Sequence, residues 1–128
     1  MIKIIVATVL ALALAGATAA DAQALLPAKV ADTAKGKALV DAEGMTLYVF
    51  DRDTTGKSAC NGPCAQNWPQ LASPASAQVS GDWTVVARDD GAKQWAYKSK
   101  PLYTWAKDTK PGDVTGDGVN SVWHIAQP

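Results

Sequence analysis

The chain has 128 residues, with 12 basic and 12 acidic side chains, two cysteines and one histidine. The net charge is therefore zero, and the sequence contains no run of like-charged residues. Both features argue against nucleic-acid binding, because such binding depends on clustered lysines and arginines. One histidine and a single glutamate, Glu43, also leave few residues for acid–base catalysis by several side chains.

Residues 1–22 have the pattern of an export signal. Lys3 supplies a positive start, and residues 4–15 form an apolar run shorter than the roughly 20 residues that span a bilayer. Small residues follow, so we expect cleavage after Ala22, with Ala19 as the alternative. The remainder, residues 23–128, is predicted to be one secreted domain.

The stretch Leu-Ala-Gly-Ala at residues 14–17 nearly reproduces a bacterial lipoprotein processing site. Ala17 stands where such a site carries the lipid-bearing cysteine. Without that thiol we expect no membrane anchor after signal cleavage, and a protein in the periplasm or outside the cell. Export to an oxidising compartment also favours a disulfide between the two cysteines.

The first predicted elements surround Gly44. Residues 37–43 and 45–51 carry β-branched and aromatic side chains in alternation, which predicts two adjacent strands that meet at a tight turn. Residues 59–68 fit a short helical turn, which Pro69 would end. The Ser- and Ala-rich stretch at 72–80 is typical of a connector.

A second hairpin is predicted where residues 83–88 and 93–98 flank Asp89-Asp90-Gly91, because Asp-Gly favours a type I′ turn. Residues 102–106 and 121–126 are the remaining predicted strands. The fold class is therefore mainly β: a small antiparallel domain with one short helical turn near the cysteines.

The sequence matches itself at a displacement of 55 residues. Each copy reads Leu-Tyr, an aromatic residue two positions later, Asp-Thr, and a closing Trp. We predict two pseudo-equivalent repeats, at about 37–71 and about 92–126. Their motif residues are Tyr48, Phe50, Asp53 and Trp68 in the first copy, and Tyr103, Trp105, Asp108 and Trp123 in the second.

The chain resembles the predicted bacterial lipoproteins with a Yx(F/W/Y)xxD motif, also described as a secreted repeat of unknown function. The resemblance covers about residues 30–126. It implies export and a repeated architecture, but no established activity. It rests on YVFDRD at 48–53, YTWAKD at 103–108, CNGPCAQNWP at 60–69 and PGDVTGDGVNSVWH at 111–124.

The motif aromatics permit two interpretations. The tyrosine and the aromatic two residues later share one strand face, so they either pack in the core and stack across the axis relating the repeats, or form an exposed shelf for a sugar, peptide or planar ligand. Asp53 and Asp108 are expected to accept backbone N–H groups and fix turns, with ligand or metal contact as the alternative.

Cys60 and Cys64 are separated by Asn-Gly-Pro, a turn-prone spacer that lets two sulfurs meet. A loop this short stabilises the fold by only about 2 kcal/mol, so the bridge would mainly shape its own turn. The alternative is a Cu(I) site formed by Cys60, Cys64 and His124, because thiolates and imidazole suit that soft ion.

Residues 113–124 begin like a calcium loop. Asp113, Thr115 and Asp117 occupy ligand positions 1, 3 and 5, glycine follows at position 6, and Asn120 adds an oxygen. Position 12 is His124 rather than a bidentate carboxylate, so weak calcium binding competes with a turn ordered by Asx hydrogen bonds.

We therefore expect a non-enzymatic binding or envelope-interaction protein whose partner is an envelope protein or a small ligand, with calcium as the candidate stabilising ion. A periplasmic protein that binds copper or transfers electrons through the cysteine pair is the alternative. Hydrolase motifs such as G-x-S-x-G and H-E-x-x-H do not occur in the sequence.

Overall fold

A computed structural model describes residues 26–77 and 79–128. The predicted signal peptide and its cleavage sites lie outside these residues. The fold class is confirmed as mainly β, with three small antiparallel sheets. The strands are β1 (Lys29–Thr33), β2 (Gly36–Val40), β3 (Tyr48–Phe50), β4 (Trp83–Ala87), β5 (Lys93–Tyr97), β6 (Lys100–Pro101) and β7 (Trp123–Ile125).

Helical structure is confined to two short elements in the described part of the chain. Helix α1 (Pro63–Asn67) lies inside the predicted helical turn, with proline in its first turn and its end at Trp68. A 3₁₀ turn covers Val119–Ser121. Neither is long or apolar enough to cross a membrane, and no other helix is found among the described residues.

The chain reverses at Gly44, which has a φ of +86°, but the two strands predicted there do not pair along their length. Val40 bridges Thr46, and beyond this point β2 pairs with β1 while β3 pairs with β7. The sequence analysis did not identify β1, because its residues are mostly exposed and lack a clear apolar alternation.

The predicted hairpin of β4 and β5 is confirmed, but its predicted turn type is wrong. Gly91 N–H donates to Arg88 C=O, and of the three central residues only Gly91 has a positive φ. This pattern fits a type I turn followed by a left-handed glycine. Two successive positive φ values instead occur at Lys98 and Ser99, in the two-residue turn between β5 and β6.

The last two predicted strands are wrong in their limits. Strand β6 ends at Pro101, and Tyr103 forms isolated bridges to Tyr48 and Gln70 rather than a continuous strand over 102–106. Strand β7 is shorter than the predicted 121–126, because Ser121 has a φ of 60°, which no extended strand accommodates.

The two repeats are intertwined. Tyr48 and Tyr103 exchange both backbone hydrogen bonds, at 2.7 and 3.0 Å, where the repeats meet. Tyr48 of the first repeat pairs with Ile125 at the end of the second. Tyr103 of the second repeat correspondingly bridges Gln70 at the end of the first. Each repeat thus completes the sheet of the other, and a pseudo-twofold axis passes between the tyrosines.

Successive side chains along these strands point to opposite faces of the sheet, and they enter two different core clusters. The leucines that precede the motif tyrosines, Leu47 and Leu102, pack with Trp83 and Trp95 in one cluster. The tyrosines themselves point into the other, with Trp68, Trp123 and Cys60. Most of the motif residues therefore lie together at the junction of the repeats.

Candidate functional site

The motif aromatics form a stack that we call the aromatic column: Trp105, Trp68, Trp123 and Phe50, in that order. The ring centroids are 3.9, 3.7 and 4.1 Å apart, and the two central rings are nearly parallel, with an angle of 3°. Because consecutive rings belong to different repeats, the column crosses the pseudo-twofold axis, as the core interpretation predicts.

Tyr48 and Tyr103 are fully buried and meet the column edge-on. The Tyr48 ring lies 5.4 Å from Trp68, and the Tyr103 ring lies 5.1 Å from Trp123. Phe50 and Trp105 are partly buried against the same cluster. The exposed-shelf interpretation is therefore wrong for the tyrosines.

The hydroxyl of each motif tyrosine donates a hydrogen bond to the aspartate of the other motif. Tyr48 Oη lies 2.6 Å from Asp108 Oδ2, and Tyr103 Oη lies 2.6 Å from Asp53 Oδ2. The second oxygen of each carboxylate accepts a backbone N–H, as the turn-fixing interpretation predicts. The reciprocal phenol contact was not predicted, because spacing alone does not show which aspartate each tyrosine reaches.

Burial governs the protonation of these pairs. It raises the pKa of the Tyr48 and Tyr103 phenols, and the neighbouring carboxylates raise both values further. Burial also raises the pKa of Asp53, although the hydrogen bonds from Tyr103 and Ala59 oppose that rise. At neutral pH the phenols therefore remain hydrogen-bond donors.

The predicted disulfide between Cys60 and Cys64 is present, with Cα atoms 5.2 Å apart. Its loop is held by the buried side chain of Arg88, which the sequence analysis did not single out. The guanidinium donates to Cys60 C=O at 2.6 Å, to Gln94 Oε1 at 2.8 Å and to Ser58 Oγ at 3.0 Å. Arg88 therefore connects the disulfide loop to the β4–β5 hairpin.

The structure does not bring together the residues of the predicted copper site. Both sulfurs are bonded to each other, and Cys60 packs with Trp123 in the buried cluster. His124 is the next residue along β7, and its Nε2 atom lies 2.7 Å from Asp51 Oδ2. Across residues 26–77 and 79–128, no three histidine, cysteine or acidic side chains are grouped to hold a metal ion.

Three of the four residues of the predicted calcium loop have separate hydrogen-bond partners. Asp113 accepts hydrogen bonds from Thr109 and Lys110, and Thr115 donates to Asp108. Asp117 accepts Ile125 N–H, and Asn120 adopts a left-handed conformation with a φ of 51°. These contacts order the loop through side-chain hydrogen bonds, but none of them is the bond to the backbone two residues on that defines an Asx turn. Calcium binding stays a prediction.

A cleft of about 680 Å³ lies on the outer face of β3 and β7. Val49 and His124, which are opposite each other in the two strands, line it together with Tyr97 of β5. Its remaining charged side chains are Lys35, Asp51, Lys98, Lys100 and Asp117.

The basic side chains of this cleft differ in their partners. Lys35 lies 3.5 Å from Asp117, and His124 is paired with Asp51. Within the described part of the chain, Lys98 and Lys100 form no ion pair. Lys98 Nζ lies 5.2 Å from the centre of the Tyr97 ring, so the cleft combines an apolar and aromatic lining with two ammonium groups available to an anion.

This cleft was not predicted from the sequence. Its residues come from two tight turns and the outer face of a short sheet, which are far apart in the chain. The local feature that marks this cleft is the pair of positive φ values at Lys98 and Ser99, because strained backbone often occurs at functional sites. However, neither residue is a glycine or an asparagine, which usually mark such turns.

Comparison with family models gives one match, described as a secreted repeat of unknown function, over residues 29–72 and 84–127. The two matched segments begin 55 residues apart, which is the displacement found in the sequence, and both start before the predicted repeats. Comparisons with curated proteins and with solved structures return no match. The family description and the disulfide agree with export. The chain therefore belongs to the family of secreted repeats of unknown function.

Proposed function

We propose that the protein is a non-enzymatic binding protein of the periplasm or extracellular space, and that its cleft takes a ligand with an anionic group on an apolar body. The observation that carries this proposal is the position of Lys98 and Lys100. Both residues line the cleft, and neither has a carboxylate partner among the described residues.

The lining of the cleft supports a ligand of this class. Small-molecule sites combine apolar surface with polar groups that fix the orientation of the ligand. Val49 and Tyr97 supply the apolar and aromatic part, while the two lysines supply positive charge. A carboxylate, sulfonate or phosphate on a hydrophobic body would satisfy both parts at once.

The backbone supports the lysines in this position. Lys98 and Ser99 both have positive φ, and Lys98 N–H donates to Asp82 C=O at 2.8 Å. A turn held in this conformation fixes the Cα positions of the residues it carries, so less conformational entropy is lost when a ligand binds.

A fluorescence titration with 8-anilinonaphthalene-1-sulfonate tests the proposal, because this probe carries a sulfonate on an aromatic body. The Lys98→Glu/Lys100→Glu variant should bind it about tenfold more weakly, which corresponds to about 1.4 kcal/mol for two reversed, partly solvated charges. Added salt should weaken binding to the unsubstituted protein.

Lys93→Glu/Lys107→Glu is the matched control, because it changes the net charge equally but neither residue lines the cleft. This control should bind the probe as tightly as the unsubstituted protein. Equal loss of affinity in both variants would show a general charge effect. Unchanged affinity in the Lys98/Lys100 variant would show that the probe binds elsewhere, and either result would remove the basis for the proposed site.

A further inference from the structure

The aromatic column reaches from the surface to two buried phenols. Its ends, Trp105 and Phe50, are partly exposed, whereas its central indoles are 4% (Trp68) and 2% (Trp123) exposed. The rings of Tyr48 and Tyr103 pack edge-on against these two indoles. Six aromatic rings therefore form one continuous series of contacts through the junction of the repeats.

Each buried phenol already has a proton acceptor. The hydroxyl oxygens of Tyr48 and Tyr103 lie 2.6 Å from carboxylate oxygens of Asp108 and Asp53, a distance that permits direct proton transfer. Asp108 is itself 8% exposed. Burial raises the pKa of the Asp53 carboxyl, so a process that protonates this carboxylate is favoured relative to the same process in water.

Packing alone does not require this chemistry. Two phenylalanines would fill nearly the same volume without placing carboxylates beside the core, and buried ionic groups often contribute little net stability. Aromatic pairs in cores also commonly meet edge-on or offset, as Trp83 and Trp95 do in the second cluster, with rings at 87°. The column instead keeps two central indoles nearly parallel, 3.7 Å apart.

We propose that the aromatic column is a one-electron relay, which carries oxidation from its surface end to the buried tyrosine–aspartate pairs. The co-reactant is a one-electron oxidant at the surface, either an outer-sphere metal complex or a diffusing radical. It takes one electron from the Trp105 indole and is itself reduced. Trp68 then gives an electron to the Trp105 radical cation, which restores Trp105.

The final transfer moves an electron and a proton together. Tyr48 gives one electron to the oxidised Trp68 indole, and its phenolic proton passes to the Asp108 carboxylate. The products are a neutral phenoxyl radical, a neutral carboxylic acid and two restored indoles, so one electron has left the protein and no proton has.

In the second branch Trp123, stacked on Trp68 at 3.7 Å, gives one electron to the oxidised Trp68 indole. Tyr103 then gives one electron to Trp123, and its phenolic proton passes to the Asp53 carboxylate. The Phe50 ring takes no part, because it is much harder to oxidise than an indole.

The direct test oxidises the protein with photogenerated tris(bipyridine)ruthenium(III), using pentaamminechlorocobalt(III) as the irreversible electron acceptor. Transient absorption and electron paramagnetic resonance distinguish tryptophanyl from tyrosyl radicals. The unsubstituted protein should first form a tryptophanyl and then a tyrosyl radical. Tyr48→Phe/Tyr103→Phe should lose the tyrosyl signal and retain a longer-lived tryptophanyl radical.

Tyr97→Phe is the matched control, because Tyr97 packs against Trp83 outside the column. This variant should form the same radicals in the same order as the unsubstituted protein, whatever its effect on ligand binding in the cleft. Asp53→Asn/Asp108→Asn keeps all six rings but replaces the proton acceptors with amides, so it should delay or abolish the tyrosyl signal. A merely structural role for the aspartates would leave the radical kinetics unchanged in protein with native near-UV circular dichroism.

Trp105→Leu provides a test if the buried variants fail to fold, because Trp105 lies at the partly exposed end of the column. It should slow the formation of the Tyr48 radical. A tyrosyl signal that disappears only in Tyr97→Phe, or an unsubstituted protein that forms no tyrosyl radical after tryptophan oxidation, would overturn the proposal.

Discussion

Replacement of Trp68 by alanine is expected to lower the free energy of unfolding by about 3–5 kcal/mol. The side chain is 4% exposed and contacts Trp105, Trp123 and Tyr48 through its ring. Alanine would leave a cavity at the centre of the aromatic column, where the two repeats meet. Partial collapse would not restore stacking between rings held on separate segments of the chain.

Denaturant unfolding monitored by far-UV circular dichroism measures this loss. Val79→Ala is the control, because Val79 is 59% exposed and its truncation should change stability by less than about 0.5 kcal/mol. A similarly small effect for Trp68→Ala would show that the column does not hold the repeats together.

Gly116→Ala is expected to destabilise the fold by about 1–3 kcal/mol through overpacking. A Cβ at this position would lie 2.9 Å from Trp68 Cη2, 2.9 Å from Tyr48 Cζ and 3.0 Å from Trp105 Cγ. These are ring atoms in a packed cluster, so relief requires the column to move. Gly116 N–H also donates to Tyr48 Oη at 3.2 Å, which any such movement would disturb.

Gly112→Ala separates crowding from backbone strain in the same loop. Gly112 has a φ of +92° but open space around its Cα, so alanine there should cost about 1–2 kcal/mol from conformation alone. Near-UV circular dichroism should report a changed aromatic environment in Gly116→Ala but not in Gly112→Ala. Unaltered stability and spectrum in Gly116→Ala would contradict the packing described for the column.

The parts of the fold that depend on local spacing could be predicted from sequence. The short distance between Cys60 and Cys64, the proline that opens α1 and the glycine turn between β4 and β5 each determine structure over a few residues. The duplication could be recognised because aromatic residues recur at one displacement. Strand β1 was missed because its side chains are mostly exposed and carry no apolar pattern.

The contacts between the repeats could not be predicted in the same way. Tyr48 is five residues from Asp53 in sequence, yet its hydroxyl reaches Asp108. In two equivalent repeats, each tyrosine could reach the aspartate of its own motif or the aspartate of the other motif. Only the pairing of the end of each repeat with the tyrosine of the other repeat decides between these two arrangements. Gly116 likewise has the sequence context of an ordinary loop glycine, although three aromatic rings surround the position of its missing Cβ.

The central claim is that each motif tyrosine acts with the aspartate of the other repeat, and a double-mutant cycle on the free energy of unfolding tests it most directly. Tyr48→Phe and Asp108→Ala should be coupled by about 0.5–3 kcal/mol, whereas Tyr48→Phe and Asp53→Ala should add to within about 0.5 kcal/mol. Coupling of Tyr48 to Asp53 with additivity toward Asp108 would contradict the exchange of contacts between the repeats.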